Sequence, residues 1–289
     1  MDPARPRRSA LYVPASNPRA LEKARSLPCD VVILDLEDAV APEAKPRARE
    51  AAVAAVRSGG FGAREVVIRV NAPSTEWGRE DLAAAAAAGP DAVLGPKVGA
   101  AADVAAYGRA LAGAPERTRL WVMVETCEAV LSIRDVAGAE TRLAALVMGV
   151  NDLAKEMRAR QTPDRTAFTP FLTMSVAAAR ANGLVVLDGV HNEIDDLAAL
   201  ETVCRQGAEM GFDGKTLIHP SHIEICNRAF APPPAEVAWS REVVAAFAEP
   251  QSAGKGALRV SGRLAERLHL AEAERILALE EAIAARESA

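Results

Sequence analysis

The sequence predicts an α/β fold, a closed (β/α)8 TIM barrel with a C-terminal helical extension. Three observations carry this. Eight short apolar runs alternate with longer segments rich in alanine and charge, the pattern of parallel βαβ units. The runs are continuously apolar, as strands covered on both faces are. Eight such units need about 250 residues, and the 289 residues present hold them with a tail to spare. An open doubly wound sheet is the alternative that strand counting leaves standing.

Strands are expected at 10–14, 31–36, 66–70, 92–96, 120–125, 145–149, 184–187 and 216–218. Segments of helical composition, such as 45–57 and 81–88, fill the intervals. After the eighth strand and residues 221–230 comes Ala231-Pro232-Pro233-Pro234, which stops a helix and acts as a stiff spacer. A helix around 236–248, a loop at 251–256, a short stretch 257–261 and a last helix from about 270 to 286 follow. The expected domains are therefore a catalytic barrel, 1–230, and an extension, 231–289, packed on the barrel or on a neighbouring subunit.

The net charge of −5 argues against a general nucleic-acid surface. Alanine is abundant and aromatics make up only 4%, which suits helices packed closely on a sheet. Cys29, Cys127, Cys204 and Cys226 show no CxxC spacing, so neither a zinc site nor a redox dithiol is expected. Reduced thiols in the cytoplasm are the simpler reading. Residues 1–9 carry three arginines with no apolar segment behind them, so no secretory signal is expected. No apolar run reaches the ~18 residues of a membrane span.

Polar residues cluster at the C-terminal ends of the apolar runs: Asp35-Leu36-Glu37-Asp38, Arg69-Val70-Asn71, Pro96-Lys97, Glu125-Thr126, Asn151-Asp152, Asp188-Gly189 and His219-Pro220. In a barrel these ends meet on the face that carries active sites. Converging carboxylates repel each other, and a bound cation relieves that repulsion. Oxygen ligands without a nearby His/Cys pairing favour Mg2+ or Mn2+ over zinc. A charge closing a buried strand needs a partner or a ligand, which singles out Glu125 and Arg69. Asp38 and Asp188 are read equally well as helix caps. Lys97 has a bland reading as a rim lysine, His219 one as a core histidine, and Cys127 is read as packing.

The stretches SALYVPASNPR (9–19), VVILDLEDAVAPEAK (31–45), VIRVNAPSTEWG (67–78), LGPKV (94–98), VMVET (122–126), GVNDLA (149–154) and GFDGKTLIHPSHIE (211–224) resemble the citrate lyase β-subunit-like (CitE-like) family of the HpcH/HpaI aldolase group. The resemblance runs from the first strand to the eighth. It implies a TIM barrel, Mg2+ dependence, coenzyme A or acyl-carrier-protein thioesters as substrates, and 2-oxo acids as products. It also implies a homotrimer. The family's metal carboxylates fall on Glu125 and Asp152, its substrate-binding arginine on Arg69, and its acidic pair after strand two on Glu37 and Asp38. Lys97 and Asn71 match positions that line the pocket. Relatives often carry Glu-Asp where this chain has Asn151-Asp152, and an aspartate, tied to acid/base catalysis across a subunit boundary, where it has Glu266.

The expected activity is carbon–carbon lysis, or condensation, of a malyl-, citramalyl- or citryl-type thioester, with Arg69, Glu266, Glu37 and Asp38 as catalytic residues. A thioesterase on the same scaffold and a non-catalytic oxo-acid-binding subunit are the alternatives. Arg8, Lys23 and Lys45 are loose candidates for coenzyme A phosphates.

Overall fold

The computed structural model describes residues 5–288. They form two compact units, one spanning Arg7–Phe230 and the other running from Ala231 onward together with the residues before Arg7. In the larger unit β1 (Ser9–Pro14), β2 (Val31–Asp35), β3 (Glu65–Arg69), β4 (Ala92–Gly95), β5 (Arg119–Val124), β6 (Leu143–Met148), β7 (Val185–Asp188) and β8 (Gly214–Leu217) close into one parallel barrel. Closure rests on β1 pairing with both β2 and β8. The open-sheet alternative is thereby excluded, and each strand lies within two residues of its expected span.

Helices α1 (Pro18–Ala24), α2 (Lys45–Ser58), α3 (Gly78–Ala88), α4 (Ala101–Ala110), α5 (Cys127–Leu131), α6 (Ile133–Ala137), α7 (Val150–Met157), α8 (Thr169–Ala181), α9 (Leu197–Met210) and α10 (Ile223–Ala229) surround it. Period-two alternation sorts each strand onto two apolar cores. Ala10, Val31, Ile33, Val67, Trp121 and Met123 fill the barrel. Val32, Leu34, Ile68, Val122 and Val186 pack outward under the helices. Both faces being buried explains the continuous apolar runs.

The parity of the strand residues decides which strand-end charges reach the mouth. Asp188 shares its parity with Val186, so it points outward into the strand–helix layer. There its carboxylate meets Lys215 Nζ at 3.0 Å and Arg165 Nη1 at 2.7 Å, all three buried. It is a structural ion cluster, neither a helix cap nor a mouth residue.

The second unit holds α11 (Pro234–Ala248), β9 (Ala257–Val260), β10 (Arg263–Glu266) and α12 (Arg267–Glu287). The two strands form an antiparallel hairpin. The extension is thus not purely helical. Ser261 (φ 47°) and Gly262 (φ 81°) both adopt left-handed backbone, the requirement of a two-residue type I′ hairpin turn. The hairpin's Val260 and Ala265 pack with Val243, Phe247 and Ala273 of the two helices. Gly262→Ala meets no neighbour there and carries only the left-handed backbone penalty. It is expected to lower this unit's stability by about 1–2 kcal/mol, read from a urea midpoint. No helix among the described residues is long and apolar enough to cross a membrane.

Candidate active site at the barrel mouth

The inward series of each strand runs on into the site. After Val31 and Ile33 comes Asp35, after Val67 comes Arg69, after Trp121 and Met123 comes Glu125, and after Ala10 comes Tyr12. Together with Asp38 and Asp152 they line a cavity of about 260 Å³.

Asp35 and Arg69 are register partners on β2 and β3. The Asp35 carboxylate accepts from Arg69 Nε at 2.7 Å and from Nη2 at 2.6 Å, a bidentate pair. It also accepts from the backbone N–H of Glu37 and Ala39, so the turn after β2 wraps around it. The guanidinium lies over the Tyr12 ring, 4.6 Å from its centroid. This arrangement leaves Nη1 facing Asp38 Oδ2 at 3.1 Å and Glu37 Oε2 at 2.9 Å. The Glu37 contact is off-line, and Oε2 is buried without a hydrogen-bond partner. Burial pushes the Glu37 carboxyl up to about 8, with Arg69 only partly opposing it. Glu37 is therefore mostly a neutral acid at pH 7. Burial likewise raises the Tyr12 hydroxyl.

Across the mouth, the Lys97 ammonium bridges Asp152 Oδ2, in a short contact, and Glu125 Oε1 at 3.4 Å. Lys97 adopts left-handed backbone (φ 55°), which directs its N–H to Glu125 Oε1 at 2.7 Å. Tyr107 fixes this turn by packing against Gly95 and donating to Pro96 O at 2.7 Å. Glu125 and Asp152 titrate as a pair. Burial raises Glu125, which keeps its proton longer. For Asp152, burial is outweighed by the Lys97 ammonium and by the Glu125 bond, which lower it. A methyl group at Gly149 would overlap Glu125 Cβ. Gly149→Ala is expected to displace this carboxylate and cut turnover about a hundredfold with little change in Tm.

The donor set fits a hard divalent cation. Two carboxylates from neighbouring strand ends already converge on one cationic group, and neither histidine nor cysteine lines the cavity. Among the described residues no three His, Cys, Asp or Glu gather to hold a metal on protein ligands alone. Mg2+ keeps waters and substrate oxygens in its shell, so two protein carboxylates are enough to hold it.

The structure brings Arg69, Glu37, Asp38, Lys97, Glu125 and Asp152 to one mouth. Asn71 instead serves the scaffold. Its buried carboxamide accepts from Lys45 Nζ at 2.8 Å and donates to Leu36 O and Asp81. Lys45 is buried in the same network, and Arg8 is buried against Asp30 at the opposite end of β1. Neither is available for a phosphate. Lys23 is exposed on α1. Glu266 belongs to the other unit, exposed at the end of β10, where its N–H donates to His269 Nδ1 at 3.0 Å. His219 is exposed, not a core histidine, and is held by Ser221 within its own turn. Tyr12 and Asp35 also line the cavity, although neither is assigned a role of its own from the sequence; counting by twos from the apolar residues of β1 and β2 finds both.

Residues 8–220 match the family model for HpcH/HpaI aldolase/citrate lyase. The chain belongs to this family. A (3S)-malyl-CoA thioesterase of Cereibacter sphaeroides is 47% identical over 98% of this chain and 97% of its own. An L-malyl-CoA/beta-methylmalyl-CoA lyase of the same species is 32% identical, again over 98% and 97%. Among solved structures, CitE from Mycobacterium tuberculosis in complex with magnesium, acetoacetate and coenzyme A superposes with TM-score 0.75. It is 29% identical, over 94% of this chain and 97% of that one. As a member of the HpcH/HpaI family the chain is an enzyme on a carbon–carbon lyase scaffold.

Proposed function

We propose that this enzyme acts on a malyl-type hydroxyacyl thioester of coenzyme A, cleaving or forming the carbon–carbon bond between the thioester arm and a 2-oxo acid. The observation that carries this is the convergence of Glu125 and Asp152 on one cationic position beside Arg69. Glu125 and Asp152 would hold Mg2+. When bound, Mg2+ supplies Lewis-acid polarisation of the acid portion's oxygens. Asp35 holds Arg69 rigid, so that its Nη1 edge can receive the substrate carboxylate at no cost in reorganisation. Glu37, kept protonated by burial, can donate to an oxygen that gains charge, and Asp38 can take up the guanidinium's charge when the acid leaves. Lys97 balances the charge of the carboxylate pair.

Glu266 is the proposed proton-transfer group at the thioester carbon, supplied by a neighbouring chain of a homotrimer. Mixing Glu125→Gln and Glu266→Gln chains then regenerates intact sites and restores part of the activity. Mixed assemblies as inactive as their parents would sink this assignment.

A second reading, thioester hydrolysis, is favoured by one observation: the thioesterase relative is 47% identical and the lyase relative 32%. Product analysis decides. Malyl-CoA incubated with the enzyme and Mg2+ yields acetyl-CoA plus glyoxylate by lysis, and malate plus free thiol by hydrolysis. Malyl-CoA left untouched by Mg2+-loaded enzyme would reject both.

A further inference from the structure

Beside the active cavity lies a second one of about 280 Å³. Val150, Pro163, Phe168, Val190, Ala199 and Val203 supply the apolar part of its lining, and polar residues, Arg165, His191, Glu193 and Asp196 among them, supply the rest. Val150 and Val190 line both cavities and are the wall between them. The methyl carbons of Val150 face Gly189 closely enough that a Cβ added there would meet them at 2.8 and 2.9 Å, so only glycine leaves this side chain its place. An amide cluster straps the wall. Asn151 Nδ2 donates to Asn192 Oδ1 at 3.0 Å, while its Oδ1 accepts from Gln161 Nε2 at 2.9 Å and from Asn192 Nδ2 at 2.8 Å. Asn151 lines the active cavity, and Gln161 and Asn192 line the second.

We propose that Val150 is a specificity-determining residue: the wall it forms with Val190 limits the acid portion of the substrate to short 2-oxo acids, and the apolar side of the cavity behind it would receive a longer alkyl chain if the wall were cut back. The inference rests on the reading of the site as an oxo-acid site. Val150 lines the same cavity as Glu125 and Asp152 and follows Gly149, which is packed on Glu125, so an acid bound beside the two carboxylates would place its substituent toward this wall. One methylene of fit in an apolar pocket changes selectivity by about 10–200-fold.

The test is equilibrium binding of glyoxylate and of 2-oxopentanoate to the whole 289-residue chain with Mg2+. The wild-type chain is expected to prefer glyoxylate. In Val150→Ala, and independently in Val190→Ala, the affinity ratio shifts toward 2-oxopentanoate by about tenfold or more. Adding Val203→Phe, which fills only the second cavity, cancels the shift. If glyoxylate binds and neither truncation moves the ratio, or if Val203→Phe leaves the shift intact, the wall has no such role. Failure of both acids to bind the wild-type enzyme would overturn the oxo-acid reading along with it.

Discussion

Glu125→Gln is expected to lower Mg2+-dependent turnover about a thousandfold, the several kcal/mol that a Lewis acid contributes to a developing oxyanion. The amide keeps the shape of the side chain and can still accept from the Lys97 N–H, so the fold is preserved. It removes the charge that the proposed metal needs. Calorimetric titration with Mg2+ separates loss of metal from loss of chemistry, and an unchanged thermal midpoint excludes unfolding. A variant that retains wild-type turnover in saturating Mg2+ would remove Glu125 from the metal site.

Asp188→Asn is expected to be the most damaging of these changes for stability, although it lies outside the mouth. It leaves Lys215 and Arg165 buried without their carboxylate, and breaking a buried ion pair from one side costs about 3–5 kcal/mol. The pH dependence has a definite sign. Asp188 is fully buried, which alone would raise it, but Lys215 and Arg165 outweigh this and hold it below the ordinary aspartate value. Its contribution is therefore complete above the unfolded value of about 3.9. It is lost as pH falls through the lower folded value. Urea unfolding should show a wide gap between wild type and variant at pH 7 that narrows only in strong acid. A gap that stays constant into that range would mean the carboxylate does not stabilise the fold through its charge.

Much of the barrel was legible because its strands are buried on both faces, which makes them stand out as uninterrupted apolar runs. The mouth was legible for the same reason: a charge that ends such a run, as Arg69 and Glu125 do, contrasts sharply with what precedes it. Two kinds of information were not. Composition does not say which way a strand-end residue points, so Asp188 looked like Asp38 until parity separated them. Nor does a motif say which of its polar groups faces the ligand and which the scaffold. Asn71 and Lys45 sit in matching stretches, yet they are bonded to each other and to the β2 turn. The hairpin of the extension escaped for a local reason. Its turn is Ser-Gly, and its strands are four residues each, too short to show alternation.

The barrel wall is unevenly mortared. Most neighbouring strands share three to five register pairs, but β7 and β8 share two, and one of these is Asp188 with Lys215. The same two residues that bridge this thin seam by backbone also bridge it by charge, with Arg165 clamping from outside. Amide hydrogens along β7 and β8 should therefore exchange as slowly as those of the thicker seams while the clamp is charged, and become the first to exchange when acid neutralises it. The loop that follows β7 carries Val190 and Asn192, so a gap opening there would loosen the active cavity's rim long before the molecule unfolds.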